Sequence, residues 1–261
     1  MGLLSDILAS KRAAIPRLRS ELHSVSQRSD GPRTAPRAVS LKRRTGEPLR
    51  LIAELKFRSP SAGPLSTVQS VEQRACSYAS AGAAMMSVLC DSEFFDGDYR
   101  HLQRARSASS LPLLCKEFVI DEVQLALAAA YGADWVLLIV RCLEPSQLKA
   151  LIACCADLAL TPLIEVHSHQ ESQVALDAGA TVIGVNARDL DTLQMHPNQA
   201  AEVLAALPPE VTALHLSGIK TPMDVAKLAK TSASGALIGE VLMRQDDPEP
   251  LLASMVARAL G

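Results

Sequence analysis

Aromatic side chains are scarce in this chain: one Trp, three Tyr and four Phe make up 3% of 261 residues. A β-sandwich built around large rings is therefore not expected, whereas the abundant Ala, Leu and Val suit helices packed on buried parallel strands. No apolar run approaches the roughly 18 residues that a membrane span needs, and no secretory hydrophobic segment opens the chain. The expectation is a cytoplasmic protein with no membrane partner. The six cysteines (Cys76, Cys90, Cys115, Cys142, Cys154 and Cys155) show no Cys-x-x-Cys spacing, so they read as reduced, mostly buried thiols rather than a disulfide or zinc framework. Nor does a Gly-x-Gly-x-x-Gly follow the first candidate strand, and no lysine-bearing P-loop is present.

Charge is nearly balanced, at −2 formally, but residues 1–50 hold 11 Lys or Arg against 4 acids. These basic residues are spread among Ser, Pro and Ala, with no aromatic in that stretch on which a base could stack, so no nucleic-acid partner is expected. An Arg- and Ser-rich start is also a feature of organelle transit peptides, but Asp6 and Glu21 count against that. The Met1-Gly2 start fails as a myristoylation signal because Asp6 stands where Ser or Thr is required.

Residues 3–22 space Leu4, Ile7, Leu8, Ile15 and Leu18 as one face of an amphipathic helix, with Pro16 as an interruption. A Ser-, Arg-, Pro- and Gly-rich linker is expected over 23–48, so that 1–48 forms an N-terminal helix and linker and 49–261 the main domain. From Leu51 onward short apolar runs alternate with longer Ala/Leu segments. Candidate strands cover 51–57, 85–90, 112–116, 135–140, 162–166, 181–186, 212–216 and 235–238. Segments such as 71–81, 121–131, 145–157, 170–178 and 222–230 are long enough for crossover helices. Gly82-Ala83, Gly132-Ala133 and Gly179-Ala180 punctuate three of them, with Gly in the left-handed position that stops a helix. Eight such units of 261 residues, 48% apolar, predict one closed (β/α)8 TIM barrel with an N-terminal amphipathic helical extension.

In a barrel, the last inward residues of each strand face the active site. The first candidate strand puts Ile52, Glu54 and Lys56 on one face; the third ends in Lys116, the fifth carries Glu165 and the sixth Asn186. These five polar groups converge on one rim, where buried charges must be paired or used. Ser217-Gly218-Ile219-Lys220-Thr221-Pro222 follows the seventh strand and Ile238-Gly239-Glu240 the eighth. Glycines there let backbone N–H groups approach an anion, and a short helix beginning near Gly239 adds its positive end, which suggests a phosphate; a simple turn and cap is the plainer reading. Glu165-x-His167-x-His169 could instead present three metal ligands on one strand face, as in a metal-dependent hydrolase. Against it, His169 begins a polar run that looks like a helix start, and no further His or Asp joins the cluster.

The chain resembles indole-3-glycerol-phosphate synthases from about Leu51 to Pro248. The resembling stretches are Ile-Ala-Glu-Leu-Lys-Phe-Arg-Ser-Pro-Ser (52–61), Ser-Val-Leu-Cys-Asp-Ser-Glu-Phe-Phe-Asp-Gly (87–97), Leu-Cys-Lys-Glu-Phe-Val-Ile-Asp (114–121), Leu-Ile-Glu-Val-His (163–167), Ile-Gly-Val-Asn-Ala-Arg-Asp-Leu (183–190), Ser-Gly-Ile-Lys-Thr-Pro (217–222) and Ile-Gly-Glu-Val-Leu-Met-Arg (238–244). The resemblance implies ring closure of 1-(2-carboxyphenylamino)-1-deoxyribulose 5-phosphate to indole-3-glycerol phosphate, with loss of carbon dioxide and water and no metal or organic cofactor. It makes Lys116 the general acid, Lys56, held by Glu54, an assistant in dehydration, Glu165 a base or electrostatic stabiliser, and Asn186 the orienter of a substrate hydroxyl. By the same resemblance Arg188 meets the aromatic carboxylate, Ser59, Ser217, Gly218 and Gly239 contact substrate or phosphate, and Phe118 and Leu137 wall the aromatic ring. A lysine acid suits the task if neighbouring positive charge and burial lower its pKa towards neutrality.

The family usually carries Glu immediately before Ser-Gly-Ile, where this chain has Leu216; Ala187 and Glu117 replace the commoner Asn and Asp. The resemblance thus implies a monofunctional synthase acting on a small phosphorylated substrate, as a monomer or weak homo-oligomer. The alternatives are a paralogue with weakened or altered activity that binds a phosphate ligand, for which Leu216 is the support, and a different phosphosugar barrel, which Lys116 and Glu165 disfavour.

Overall fold

The computed structural model describes residues 2–28 and 35–260. Helix α1 (Leu3–Arg28) comes first, then β1 (Arg50–Leu55), α2 (Val71–Ser80), β2 (Met85–Leu89), α3 (Ser92–Phe95), α4 (Arg100–Ala108), β3 (Leu113–Lys116), α5 (Glu122–Ala130) and β4 (Trp135–Ile139). The second half runs α6 (Pro145–Asp157), β5 (Thr161–Val166), α7 (His169–Asp177), β6 (Val182–Asn186), α8 (Pro197–Ala206), β7 (Thr212–Leu216), α9 (Pro222–Leu228), β8 (Gly235–Ile238), α10 (Glu240–Met243) and α11 (Glu249–Ala257).

The eight strands pair in parallel with their sequence neighbours, and β1 closes the barrel on β8 with Arg50 opposite Gly235 and Ile52 opposite Leu237. They lie within two residues of the expected ranges, because a strand buried on both faces is legible as a short continuous apolar run. A two-residue ribbon, Arg58–Ser59 against Gly63–Pro64, adds to the loop after β1. Gly82, Gly132 and Gly179 take φ of 85°, 92° and 89°, as the Gly-Ala punctuation predicts.

Two expectations at the amino-terminal end are corrected. Pro16 does not interrupt α1, which continues through it to Arg28. Proline forfeits one helical hydrogen bond, but Leu4, Ile7 and Leu18 bury their side chains against the barrel, and that packing outweighs the local penalty. The 23–48 stretch is therefore helical at its start; residues 29–34 lie outside the described residues, and 35–48 is no free linker. Arg37 donates through Nη1 to the carbonyls of Ser109 (2.6 Å) and Leu111 (2.8 Å) and through Nη2 to that of Arg106 (3.1 Å), while Arg43 donates to Ala229 O at 2.9 Å. With Leu41 and Leu49 buried beside them, these basic residues seal the amino-terminal end of the barrel.

At the opposite end, Lys11 of α1 reaches the rim. Its Nζ lies 2.6 Å from both Asp91, the cap of α3, and Glu117, the residue after Lys116. Burial pulls the Lys11 pKa down, but Glu117 and Asp91 outweigh it and hold the ammonium above its usual value. One cation serves two carboxylates, so burial together with Asp91 leaves Glu117 above the usual carboxylate range despite Lys11. Lys11→Met strands two buried carboxylates and is expected to cost about 3–5 kcal/mol at neutral pH. Because a raised folded-state pKa means that protonating Glu117 favours the fold, part of that loss is recovered as the pH falls through the raised value. Urea denaturation from pH 7 to pH 5 measures it; a deficit independent of pH argues against the assignment.

Candidate active site

A cleft opens at the carboxyl-terminal ends of the strands. Lys56, Lys116, Glu165 and Asn186, four of the five polar residues expected to converge, line it, and so does Arg188. Phe118 and Leu137 give it an apolar wall, and Ser59 and Ser217 stand at its edge. Glu54, Gly218 and Gly239 do not line the cleft; they lie behind or beside the groups that do.

Glu54 is the centre of the arrangement. It is fully buried, and its two oxygens accept hydrogen bonds from Lys56 Nζ (2.5 Å, to Oε1) and Lys116 Nζ (2.6 Å, to Oε2). Burial raises its pKa, but Lys116 and then Lys56 more than offset this and hold the carboxyl at about 2. The sequence pairs Glu54 with Lys56 alone; the bond to Lys116 crosses from β1 to β3 and depends on barrel closure. Gly239 has its reason here, since a Cβ at that position would clash with Glu54 Oε1.

The Lys116 pKa is corrected in sign. Burial lowers it, but Glu54 and then Glu165 prevail, so the ammonium is held above its ordinary value rather than brought towards neutrality. The expected positive neighbour is outweighed: Arg188 acts in the lowering direction, with less effect than the two carboxylates. Glu165 is shifted up, by burial first, with Lys116 and the hydrogen bond from Asn186 acting in opposition.

Asn186 Nδ2 donates to Glu165 Oε1 at 2.9 Å, and its Oδ1 accepts from the backbone N–H of Arg188 at 3.0 Å. A carboxylate on one side and an N–H on the other fix which way the amide points. Arg188 donates to Leu193 O at 3.1 Å and lies 3.9 Å from Glu240. Ser217 takes a left-handed φ of 70° and Gly218 follows at 87°. A serine there costs on the order of 1–3 kcal/mol, a strain that concentrates at ligand-binding turns. α10 begins at Glu240 with Gly239 as its cap, where the short helix was expected.

His167 and His169 do not form a metal cluster with Glu165. His169 opens α7 behind its cap Ser168, and His167 Nδ1 meets the carbonyl of Asn186 at 2.8 Å. Among the described residues no group of three or more His, Cys, Asp or Glu could hold a metal ion. Leu216 is buried, with its Cδ1 2.7 Å from where a Cβ on Gly184 would stand, and does not line the cleft. Other cleft-lining residues were given no role by sequence reasoning: Phe95, whose ring lies 6.0 Å from that of Phe118, and Leu190 and Leu193 of the loop after β6. Phe95 ends the short helix α3, and Leu190 and Leu193 are loop residues; the only signal for them was that Phe95 and Leu190 lie inside quoted motifs, with Leu193 just beyond.

The fold and cleft define a closed (β/α)8 barrel enzyme site with paired lysines and a buried glutamic acid at its carboxyl-terminal rim. A model of the family "Indole-3-glycerol phosphate synthase" matches residues 4–255, and the chain belongs to that family. Relatives named indole-3-glycerol phosphate synthase include that of Leptospira interrogans, 42% identical over 80% of this chain and 81% of its own length, and that of Kineococcus radiotolerans, 39% identical over 98% and 96%. These names do not favour the binding-paralogue alternative. Solved structures with the same fold include 3-hexulose-6-phosphate synthase from Salmonella typhimurium, with a TM-score of 0.64 at 11% identity, covering 81% of this chain and 99% of that one. Thiamine phosphate pyrophosphorylase from Pyrococcus furiosus has a TM-score of 0.61 at 15% identity, covering 82% and 98%. At such identities the likeness extends to the fold alone.

Replacing Glu54 by Gln removes the largest influence that raises the Lys116 pKa and leaves burial acting against the ammonium. The Lys116 pKa is then expected to fall, read by NMR titration of the lysine Nζ; a titration unchanged from wild type would show that Glu54 does not set it.

Proposed function

We propose that the protein is an indole-3-glycerol phosphate synthase, a carboxy-lyase of tryptophan biosynthesis. It closes the indole ring of 1-(2-carboxyphenylamino)-1-deoxyribulose 5-phosphate and releases carbon dioxide and water. Family membership supports the reaction, and one geometric observation carries the assignment of roles: two lysines on a single buried carboxylate face a buried glutamic acid across one cleft.

Ring closure needs a proton donor at the ketone oxygen while the aromatic carbon attacks, and Lys116 is that general acid. An elevated pKa keeps it charged at neutral pH, so it polarises the ketone as well as protonating it. Arg188 holds the aromatic carboxylate until it leaves as carbon dioxide. Dehydration then requires a proton at the departing hydroxyl and removal of one from the ring. Lys56 supplies the first, and Glu165, whose burial raises its pKa towards the working range of a base, accepts the second. Asn186 holds Glu165 and orients a substrate hydroxyl. Phe118 and Leu137 stack against the aromatic ring, while Ser59, Ser217 and the backbone at Gly218 and Gly239 take the phosphate end. Glu54 acts behind them, holding both ammonium groups at a fixed separation. The reaction as written calls on no metal or organic cofactor, and the working form is a monomer or weak homo-oligomer in the cytoplasm.

The test is the growth of indole fluorescence when purified protein meets the carboxyphenylamino substrate. Wild type is expected to turn over, and Lys116→Met to lose about 10²–10⁴-fold in kcat, with circular dichroism at the assay temperature checking that the variant is still folded despite the lost partner of Glu54. Wild type without turnover would overturn the function, and an active Lys116→Met would overturn the role of that residue.

A further inference from the structure

The loop after β6 carries Arg188, Leu190 and Leu193 into the cleft, and it is held from outside the cleft by Arg141, with His167 beside it, whose Nε2 lies 3.7 Å from Asp189 and whose ring lies 5.6 Å from that of His196. Arg141 stands in the turn Val140–Cys142 directly after β4. Its Nη1 donates to Asp189 Oδ2 at 2.7 Å, its Nη2 and Nε donate to Glu171 Oε1 at 2.9 and 3.0 Å, and Asp191 lies 3.6 Å from Nη1. Each carboxylate then organises a second loop. Glu171, in the first turn of α7, accepts the His167 N–H at 2.7 Å. Asp189 Oδ1 accepts the N–H groups of Asp191 (3.0 Å) and Thr192 (2.8 Å) and the Thr192 hydroxyl (3.0 Å), folding the loop tip back on itself.

That turn matters because of what rests on it. Leu193 N donates to Asp189 O at 3.0 Å in a left-handed conformation with φ 60°, and Leu193 O in turn accepts from Arg188 Nη1 at 3.1 Å. A continuous path of hydrogen bonds therefore runs from Arg141 through Asp189 and Leu193 to the guanidinium that faces the cleft. Two carboxylates, one on a helix and one on a loop, meet one planar cation, a geometry that Lys, with a single point charge, does not reproduce.

We propose that Arg141 is a positioning residue for the reaction: it clamps the loop 187–196 so that Arg188 and the wall formed by Leu190 and Leu193 are preset for the aromatic carboxylate end of the substrate. The inference rests on the reading of Arg188 given above. A preset guanidinium spares the ordering cost that binding would otherwise carry, so the effect falls on substrate affinity more than on the chemical step.

The experiment compares Arg141→Met, Arg188→Ala and the double variant of the full chain, measuring kcat and KM by indole fluorescence and amide hydrogen exchange of residues 187–196. Arg141→Met is expected to raise KM about tenfold with kcat within about threefold, and to speed exchange in the loop at least tenfold. In the Arg188→Ala background the same substitution should change KM by less than about twofold, since the two residues act along one path. An unchanged KM, unchanged loop exchange, or an equally large KM effect without Arg188 overturns the proposal. If Arg188→Ala alone leaves KM unaltered, the carboxylate role of Arg188 fails by itself, and loop exchange in Arg141→Met decides the clamp.

Discussion

Glu54 is buried to the last atom, and an ionised carboxylate in that position is tolerable only if its lone pairs are filled by cations. Lys56 and Lys116 fill them, and much of the rim follows from that requirement. Residue 239 must be glycine for the carboxylate to fit. The hydroxyl of Tyr78 on α2 donates to Glu54 O at 3.0 Å, and Arg74, one helical turn earlier, donates to the carbonyls of Leu242 and Gln245 at 3.1 Å each. Helix α2 thus fixes both the strand that bears Glu54 and the short helix that follows Gly239. Two ammonium groups on one carboxylate leave the cleft with positive charge to spare, which suits an anionic, phosphorylated substrate.

Around this centre, charges placed outside the cleft hold the loops that line it. Lys11 brings α1 across the rim to Asp91 and Glu117, the first capping the helix that carries Phe95 and the second next to both Lys116 and Phe118. Arg141 does the same on the far side for the loop bearing Arg188. In both cases a long basic side chain from one element satisfies two carboxylates on others. Removing the cation therefore releases two segments together, which makes such contacts structurally expensive to break. The N-terminal helix accordingly belongs to the architecture of the site as much as the strands do.

How much of this could be read from sequence depends on whether the signal was local. Strands buried on both faces and glycines stopping helices are local patterns, so β1 to β8 and Gly82, Gly132 and Gly179 were legible. Alternation along a strand placed Glu54, Lys56, Glu165 and Asn186 on the inner face for the same reason. What was illegible rests on contacts distant in sequence: Lys11 with Glu117, Arg37 with Ser109 and Leu111, Arg141 with Asp189, Glu54 with Lys116. The sign of the Lys116 shift belongs to that class, because it depends on two carboxylates contributed by other strands. Pro16 illustrates the reverse failure, a strong local rule overridden by packing along the whole of α1.

Leu216 brings both classes together. Its place at the inward end of β7 was legible, but its consequence depends on Gly184, which stands opposite Glu165 in the neighbouring pair of strands. Leu216 Cδ1 and Leu163 Cδ1 lie 2.7 and 3.2 Å from the position of the missing Cβ, so the large side chains occupy the volume that glycine vacates. A carboxylate in that packing would sit among apolar groups, with one strand between it and the strand carrying the buried Glu165. Two anions sharing one low-dielectric region drive at least one pKa upward. With leucine there, the ionisation of Glu165 is set by its burial, by Lys116 and by Asn186, and the apolar side chain completes the interior layer beneath the cleft instead of adding a further charge to its rim.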